Sequence, residues 1–322
     1  MRLLEAPTPA RIQAARDRIR GSAVRTPLVR LDVDVPFELW IKLESLQPIG
    51  SFKLRGALNA IRSLPASDLS EGVYTASAGN MAQGVAWGAR ELGVACTVLV
   101  PERAPQTKVD AITRLGARII KLSYEEWWQA IVDHGRVGMK GRFIHPVSDP
   151  EVLAGNATIG AEIAEDLDGI AAVFVPYGGG GMAAGIAAAL GAPSGRTKIY
   201  GCEVETAAPF RASLDARAPM TIEHTPSFVD GIGGRSVLEE MWPLTSTLLA
   251  DSLVVSVTQV ANAVRQLVIR GRVVAEGAGA TGVAAALATH ERTLKAGDRC
   301  VAVVSGGNID AAVLADILMN RL

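Results

Sequence analysis

Short apolar runs rich in Val, Ile and Leu alternate along the chain with longer segments in which apolar residues recur every three to four positions. The runs predict strands at Leu39–Leu43, Val73–Ala76, Cys96–Val100, Ile119–Leu122, Ala172–Val175, Ile199–Cys202, Val254–Ser256 and Val301–Val304. The segments between them predict helices, which is the pattern of a parallel sheet with crossover connections. After Met81, residues Val85, Ala86, Ala89 and Leu92 form one stripe, and Gly93 supplies a stop. Ser256 and Gln259 make a capping box ahead of Val260, Val264 and Leu267. No internal repeat or low-complexity linker marks a domain edge.

A length of 322 residues suits two α/β lobes rather than one minimal core. With 49% hydrophobic residues and only 5% aromatics, the core must be built from Ala, Val, Leu and Ile, as buried parallel strands are. A net charge of −1 gives no broad attraction to nucleic acid or to an anionic membrane. The expected partner is a small molecule or a second copy of the chain. Cys96, Cys202 and Cys300 lie far apart, without a Cys-x-x-Cys pair, and read as small core residues. Met1–Arg20 mixes Glu, Asp and Arg among its apolar residues, which is wrong for a secretory signal. Gly169–Gly195 carries no charge, but Pro176 and the run Gly178–Gly181 would break a membrane-spanning helix. The expected setting is the cytoplasm, with no membrane partner.

Four segments carry candidate chemistry. In Gly50-Ser51-Phe52-Lys53-Leu54-Arg55-Gly56-Ala57, preceded by Lys42-Leu43-Glu44, a lysine stands between glycines at the start of a helix. An amine at a helix N-terminus loses its proton more readily and becomes a nucleophile; the alternative is an ordinary surface lysine. In Ser77-Ala78-Gly79-Asn80, between a strand and a helix, backbone amides can receive a carboxylate, or Ser77 and Asn80 can simply cap the helix. In Tyr177-Gly178-Gly179-Gly180-Gly181-Met182, again strand, glycine loop, helix, free amides can cradle a phosphate, or the glycines can serve tight packing. The Gly-x-Gly-x-x-Gly spacing of a dinucleotide fingerprint is missing. In Ser305-Gly306-Gly307-Asn308, at a strand end, a serine can meet a ligand in the crevice of an open sheet, or the segment is a plain turn.

Taken in order, these four motifs resemble the serine/threonine dehydratase and serine racemase group of fold-type II pyridoxal-phosphate (PLP) enzymes. The match runs from about Ile41 to Asp310, and Arg55 after the lysine is similar to the dehydratase branch. The resemblance implies a two-domain α/β fold of the tryptophan synthase β type. A large parallel-sheet domain would comprise 1–71 with 148–322, and a smaller α/β domain 72–147. It implies that Lys53 holds PLP covalently with Phe52 beside the ring, that Asn80 bonds the ring hydroxyl, and that Gly178, Gly179, Gly180, Gly181 and Met182 take the phosphate. Ser77 would receive the substrate carboxylate, Glu276 would lie against the cofactor, and Ser305 would face the ring nitrogen. The implied activity is β-elimination from a small β-hydroxy amino acid such as threonine or serine, giving a 2-oxo acid and ammonia. The implied assembly is a homodimer.

Several positions depart from that pattern. Met81 stands where the group usually has His, Asn156-Ala157 where it has Gln-Gly, and Glu276 precedes Gly277 where Pro is common. The changes at Met81 and Asn156-Ala157 hint at an altered substrate pocket. Glu203 and Ala207 match part of a divalent-cation site, but Pro209 replaces its second carboxylate, so no tight metal is expected. A racemase on this scaffold needs a proton donor on each face of the substrate α-carbon. The group's racemases carry a serine where this chain has Ala78, whose methyl has no proton to give. Elimination is therefore favoured over racemisation. A nucleotide-binding reductase would use the glycine loop but would leave Lys53 and Ser305 without a role, and a non-catalytic PLP binder is the remaining alternative.

Overall fold

The computed structural model describes residues 4–321. Among them ten strands form: β1 (Leu28–Arg30), β2 (Glu38–Lys42), β3 (Val73–Ala76), β4 (Cys96–Pro101), β5 (Arg118–Leu122), β6 (Arg142–Phe143), β7 (Ile170–Pro176), β8 (Lys198–Val204), β9 (Asp251–Val255) and β10 (Arg299–Val303). They build two sheets. The six-stranded sheet has the order β1-β2-β10-β7-β8-β9, and only the β1–β2 pair is antiparallel. The four-stranded sheet, β5-β4-β3-β6, is wholly parallel.

Each strand predicted from its apolar run is present. β1 and β6 were not predicted, because runs of three and two residues are too short to show a period. β9 starts earlier than its apolar residues suggest, since the polar pair Asp251-Ser252 registers against Tyr200 and Gly201 of β8. The helix Asn80–Leu92 ends on Gly93 in the left-handed conformation, φ 66°, where a Cβ would be strained. Ser256 and Gln259 close the capping box reciprocally.

Helices cover both faces of the large sheet. Ala and Val side chains of helices Val257–Gln266 and Gly277–Thr293 pack on one face; on the other pack Leu153, Ile159 and Ile163 of Pro150–Asp166, Ile186 and the alanines of Gly181–Ala189, and Leu244 and Leu248 of Trp242–Leu248. The small sheet lies between helix Asn80–Leu92 and helix Tyr124–Val132. No helix among the described residues is long and apolar enough to cross a membrane.

One buried polar cluster anchors the helix Lys53–Arg62. The Arg55 guanidinium donates to both oxygens of Glu44, each at 2.8 Å, and to both oxygens of Glu162 at 2.6 and 2.9 Å. It also reaches Thr158 Oγ1 and the Val24 carbonyl, each at 3.1 Å. Lys42 Nζ donates to Glu162 at 2.7 Å and to the Thr26 carbonyl at 2.6 Å. Two cations thus face two carboxylates where all four side chains are buried, which is tolerable only when the charges balance and every donor is used. Burial alone would raise the Glu44 carboxyl, but the charge and hydrogen bonds of Arg55 outweigh it and hold it below its ordinary value. Lys42, Glu44 and Arg55 of the sequence motif therefore belong to the framework rather than to the cavity described next.

Candidate active site

Loops at the carboxyl ends of β3, β7 and β10 meet in one crevice, the position at which open α/β sheets bind ligands. A cavity of about 790 Å³ lies there. All the predicted site residues line it: Phe52, Lys53, Ser77, Asn80, Gly178, Gly179, Gly180, Gly181, Met182, Glu276 and Ser305.

Lys53 opens its helix directly after the Gly50–Phe52 loop. That loop is clamped onto the turn after β10: Phe52 N donates to Ser305 O at 3.0 Å and Gly307 N to Gly50 O at 2.9 Å. Lys53 Nζ donates to the Pro146 carbonyl at 2.7 Å and lies 5.3 Å from the centre of the Phe52 ring. Burial lowers the Lys53 amine to about 8, which makes the neutral, nucleophilic form accessible near neutrality. The Pro146 carbonyl is itself set by His145, whose Nδ1 accepts from the amides of Val147 and Ser148 at 3.0 and 2.8 Å. His134 and Glu240 join His145 in a group close enough to hold a metal. His145 Nε2 meets the Ile131 carbonyl at 3.1 Å, so both of its ring nitrogens are committed to shaping this turn.

The glycine loop is a cradle that side chains would fill. A Cβ at Gly179 would stand 2.4 Å from Val147 Cγ2, and Gly180 has φ +87°. Helix Gly181–Ala189 follows, and the first amides of a helix have no acceptor within it. Together they suit a phosphate.

On the opposite wall, the cap of helix Asn80–Leu92 is Gly79, with no side-chain capping bond. The competing role of Ser77 or Asn80 as that cap is thus not what the structure shows. Ser77 Oγ accepts from Gly79 N at 3.2 Å and Ser77 N donates to Leu99 O at 3.1 Å, which fixes the loop. Asn80 Nδ2 donates to Glu276 Oε1 at 2.8 Å. Burial pushes the Glu276 carboxyl up to about 7, with the Asn80 hydrogen bond pulling the other way. Ser305 is buried at the end of β10 and completes the floor.

One sequence expectation is corrected. Asn156 and Ala157 do not line the cavity: Asn156 packs under Gly56 and Ala157 against Gly185, because both glycines let helices approach closely. Met81 does line it but is buried among Ala57, Ala82 and Val85 in the small-sheet core, where a polar side chain would need a partner. Glu203 spends its carboxylate on the amides of Phe210 and Arg211, at 2.9 and 2.7 Å, and on Ser252 Oγ at 2.5 Å. Residues that sequence reasoning missed include Pro146 and the ion pair Lys108–Asp230, 2.5 Å long, both of whose members line the cavity. No local motif announces either one.

A lysine amine, a phosphate-sized glycine cradle and a serine at a strand end in one crevice define a site for a phosphorylated carbonyl cofactor. The comparisons agree with that class. Residues 19–306 match the family described as pyridoxal-phosphate dependent enzyme, and the chain belongs to it. PLP is accordingly its cofactor, and Lys53, the cradle and Ser305 fit that molecule's aldehyde, phosphate and ring. The chain is 37% identical over 288 residues to an L-threonine ammonia-lyase of Thermotoga maritima, covering 88% of this chain and 70% of that protein. It is 36% identical over 316 residues to an L-threonine ammonia-lyase of Geobacter sulfurreducens, covering 97% and 78%. The solved structure of maize serine racemase superposes with a TM-score of 0.89 at 30% identity, covering 98% of each chain.

Proposed function

We propose that this enzyme is an ammonia-lyase that converts a small β-hydroxy amino acid, threonine or serine, to a 2-oxo acid and ammonia. Its similarity to the two ammonia-lyases over most of the chain supports the reaction class. The observation that carries the reading is the pairing of Lys53, its amine lowered to about 8, with Ala78 on the cavity wall.

In this reading Lys53 would hold the cofactor aldehyde, Gly178–Gly181 and Met182 its phosphate and Asn80 its ring hydroxyl, with Phe52 beside the ring and the Ser305 hydroxyl at the ring nitrogen. PLP supplies a sink for the electron pair left when the α-proton departs. Ser77 and neighbouring amides receive the substrate carboxylate and orient the α-carbon. The Lys53 amine, once free, would take the α-proton as a general base. The α-proton and the β-hydroxyl would thus depart together as one water, and the released enamine would take one water back on hydrolysis to the 2-oxo acid and ammonia. Ala78 can return no proton, so a carbanion re-protonated on the other face has no donor in that position.

The racemase reading is favoured by the superposition on maize serine racemase. Chiral chromatography of the products from L-serine separates the two. The lyase reading expects pyruvate with little D-serine, and a larger D-serine share for Ala78→Ser; rapid D-serine formation by the unaltered protein would overturn it.

We also propose the domain division 1–71 with 148–322 and 72–147, supported by the two separate sheets. A cytoplasmic setting is supported by three buried, unbridged cysteines. A homodimer is proposed from the family resemblance, and sedimentation velocity tests it.

A further inference from the structure

The Asn80 amide is gripped at both ends. Its Nδ2 donates to Glu276 Oε1 at 2.8 Å, and its Oδ1 accepts from Asn308 Nδ2 at 2.7 Å. Asn308 Nδ2 also donates to the Ile49 carbonyl at 2.8 Å. The chain of bonds therefore ends on the Ile49 carbonyl, which can only accept, and on Glu276, which accepts from Asn80 Nδ2. Turning either amide over would set oxygen against oxygen or N–H against N–H. Two glycines press the clamp into place: a Cβ at Gly306 would lie 2.4 Å from Glu276 Oε1, and one at Gly50 would lie 2.6 Å from Asn308 Oδ1. Asn308 and Glu276 both line the cavity, on the side where β10 ends.

We propose that Glu276 and Asn308 are positioning residues that lock the Asn80 amide in one orientation, leaving its second N–H for an anionic oxygen on the cofactor ring. This rests on the reading of Asn80 as a cofactor contact. An asparagine with no such clamp presents its N–H₂ and its oxygen about equally, and half of those presentations would set an oxygen against the cofactor. The clamp removes that ambiguity before the cofactor arrives, which is what preorganisation of a site requires.

The test is titration of PLP into the protein, followed by the absorbance of the bound cofactor and by its pH midpoint. Glu276→Ala should weaken PLP binding about tenfold, the size of one charge-assisted hydrogen bond, and shift the pH midpoint. Glu276→Gln keeps an acceptor oxygen and should stay within about threefold of the unaltered protein. Equal weakening in both variants, or no change in either, would overturn the proposal. If Glu276→Ala fails to fold, Asn308→Ala removes the other jaw and should weaken PLP in the same direction with a shifted midpoint; an unchanged midpoint would overturn the proposal. Borohydride trapping at Lys53 in the unaltered protein keeps the two levels apart, since absence of trapping there would sink the cofactor-site reading itself.

Discussion

Glu162→Gln tests whether the buried ion cluster sets the helix that carries Lys53. Glu162 accepts from Arg55 at 2.6 and 2.9 Å and from Lys42 at 2.7 Å, with its side chain 7% exposed. The substitution keeps the shape but leaves Arg55 paired with Glu44 and Lys42 with only the Thr26 carbonyl and Asp166, 3.8 Å away, so one buried positive charge loses its close partner. Breaking a buried pair in this way costs about 3–5 kcal/mol. At about 2 cal/mol/K per residue, a chain of 322 residues has an unfolding entropy near 0.7 kcal/mol/K, so Tm should fall by roughly 4–7 °C. Differential scanning calorimetry of the cofactor-free protein measures the change. A concurrent loss of PLP affinity is expected, because Arg55 sits two residues beyond Lys53 on the same helix. A fall in Tm of less than about 1 °C would refute the claim that this cluster is charge-balanced and supports the helix.

The pH dependence of cofactor capture should follow Lys53. Because its amine is lowered to about 8, the reactive neutral form grows as pH rises, and the initial rate of covalent PLP capture should climb through pH 7 and level off above about 8; a rate still rising steeply at pH 10 would contradict this. Gly179→Ala would place a Cβ 2.4 Å from Val147 Cγ2 and should weaken PLP by at least about tenfold, the loss of one or two amide contacts to a phosphate; fluorescence titration decides it. Ser305→Asp should put a negative charge at the ring nitrogen, slowing elimination and shifting the cofactor absorbance, and unchanged kinetics would show that Ser305 does not meet the ring.

Most of the site was legible because its parts are local motifs, each placed by a strand end and a helix start. Lys53, the Ser77–Asn80 loop, the glycine loop and Ser305 are such parts, and the period of the flanking segments located them. What stayed hidden depends on contacts between distant positions. Pro146 reaches Lys53 across 93 residues, Lys108 reaches Asp230 across 122, and Asn308 reaches Asn80 across 228. Lys42, Glu44 and Arg55 show the converse limit. They stand in the same motif as Lys53, yet Lys42 points from its strand and Arg55 from its helix into the framework, a choice of face that spacing alone does not make. The shortest strands, β1 and β6, were invisible for want of length.

Elimination from a β-hydroxy amino acid on bound PLP is proposed to depend on Lys53. The most direct measurement is the simultaneous release of ammonia and 2-oxo acid from L-threonine and L-serine by the PLP-loaded protein, with Lys53→Ala as the paired control. Equal amounts of ammonia and 2-oxo acid are expected from the unaltered protein, with a loss of at least about a thousandfold in the control, the scale on which a combined nucleophile and general base acts. Turnover retained by Lys53→Ala, or no ammonia from the loaded unaltered protein with either amino acid, would contradict the proposal.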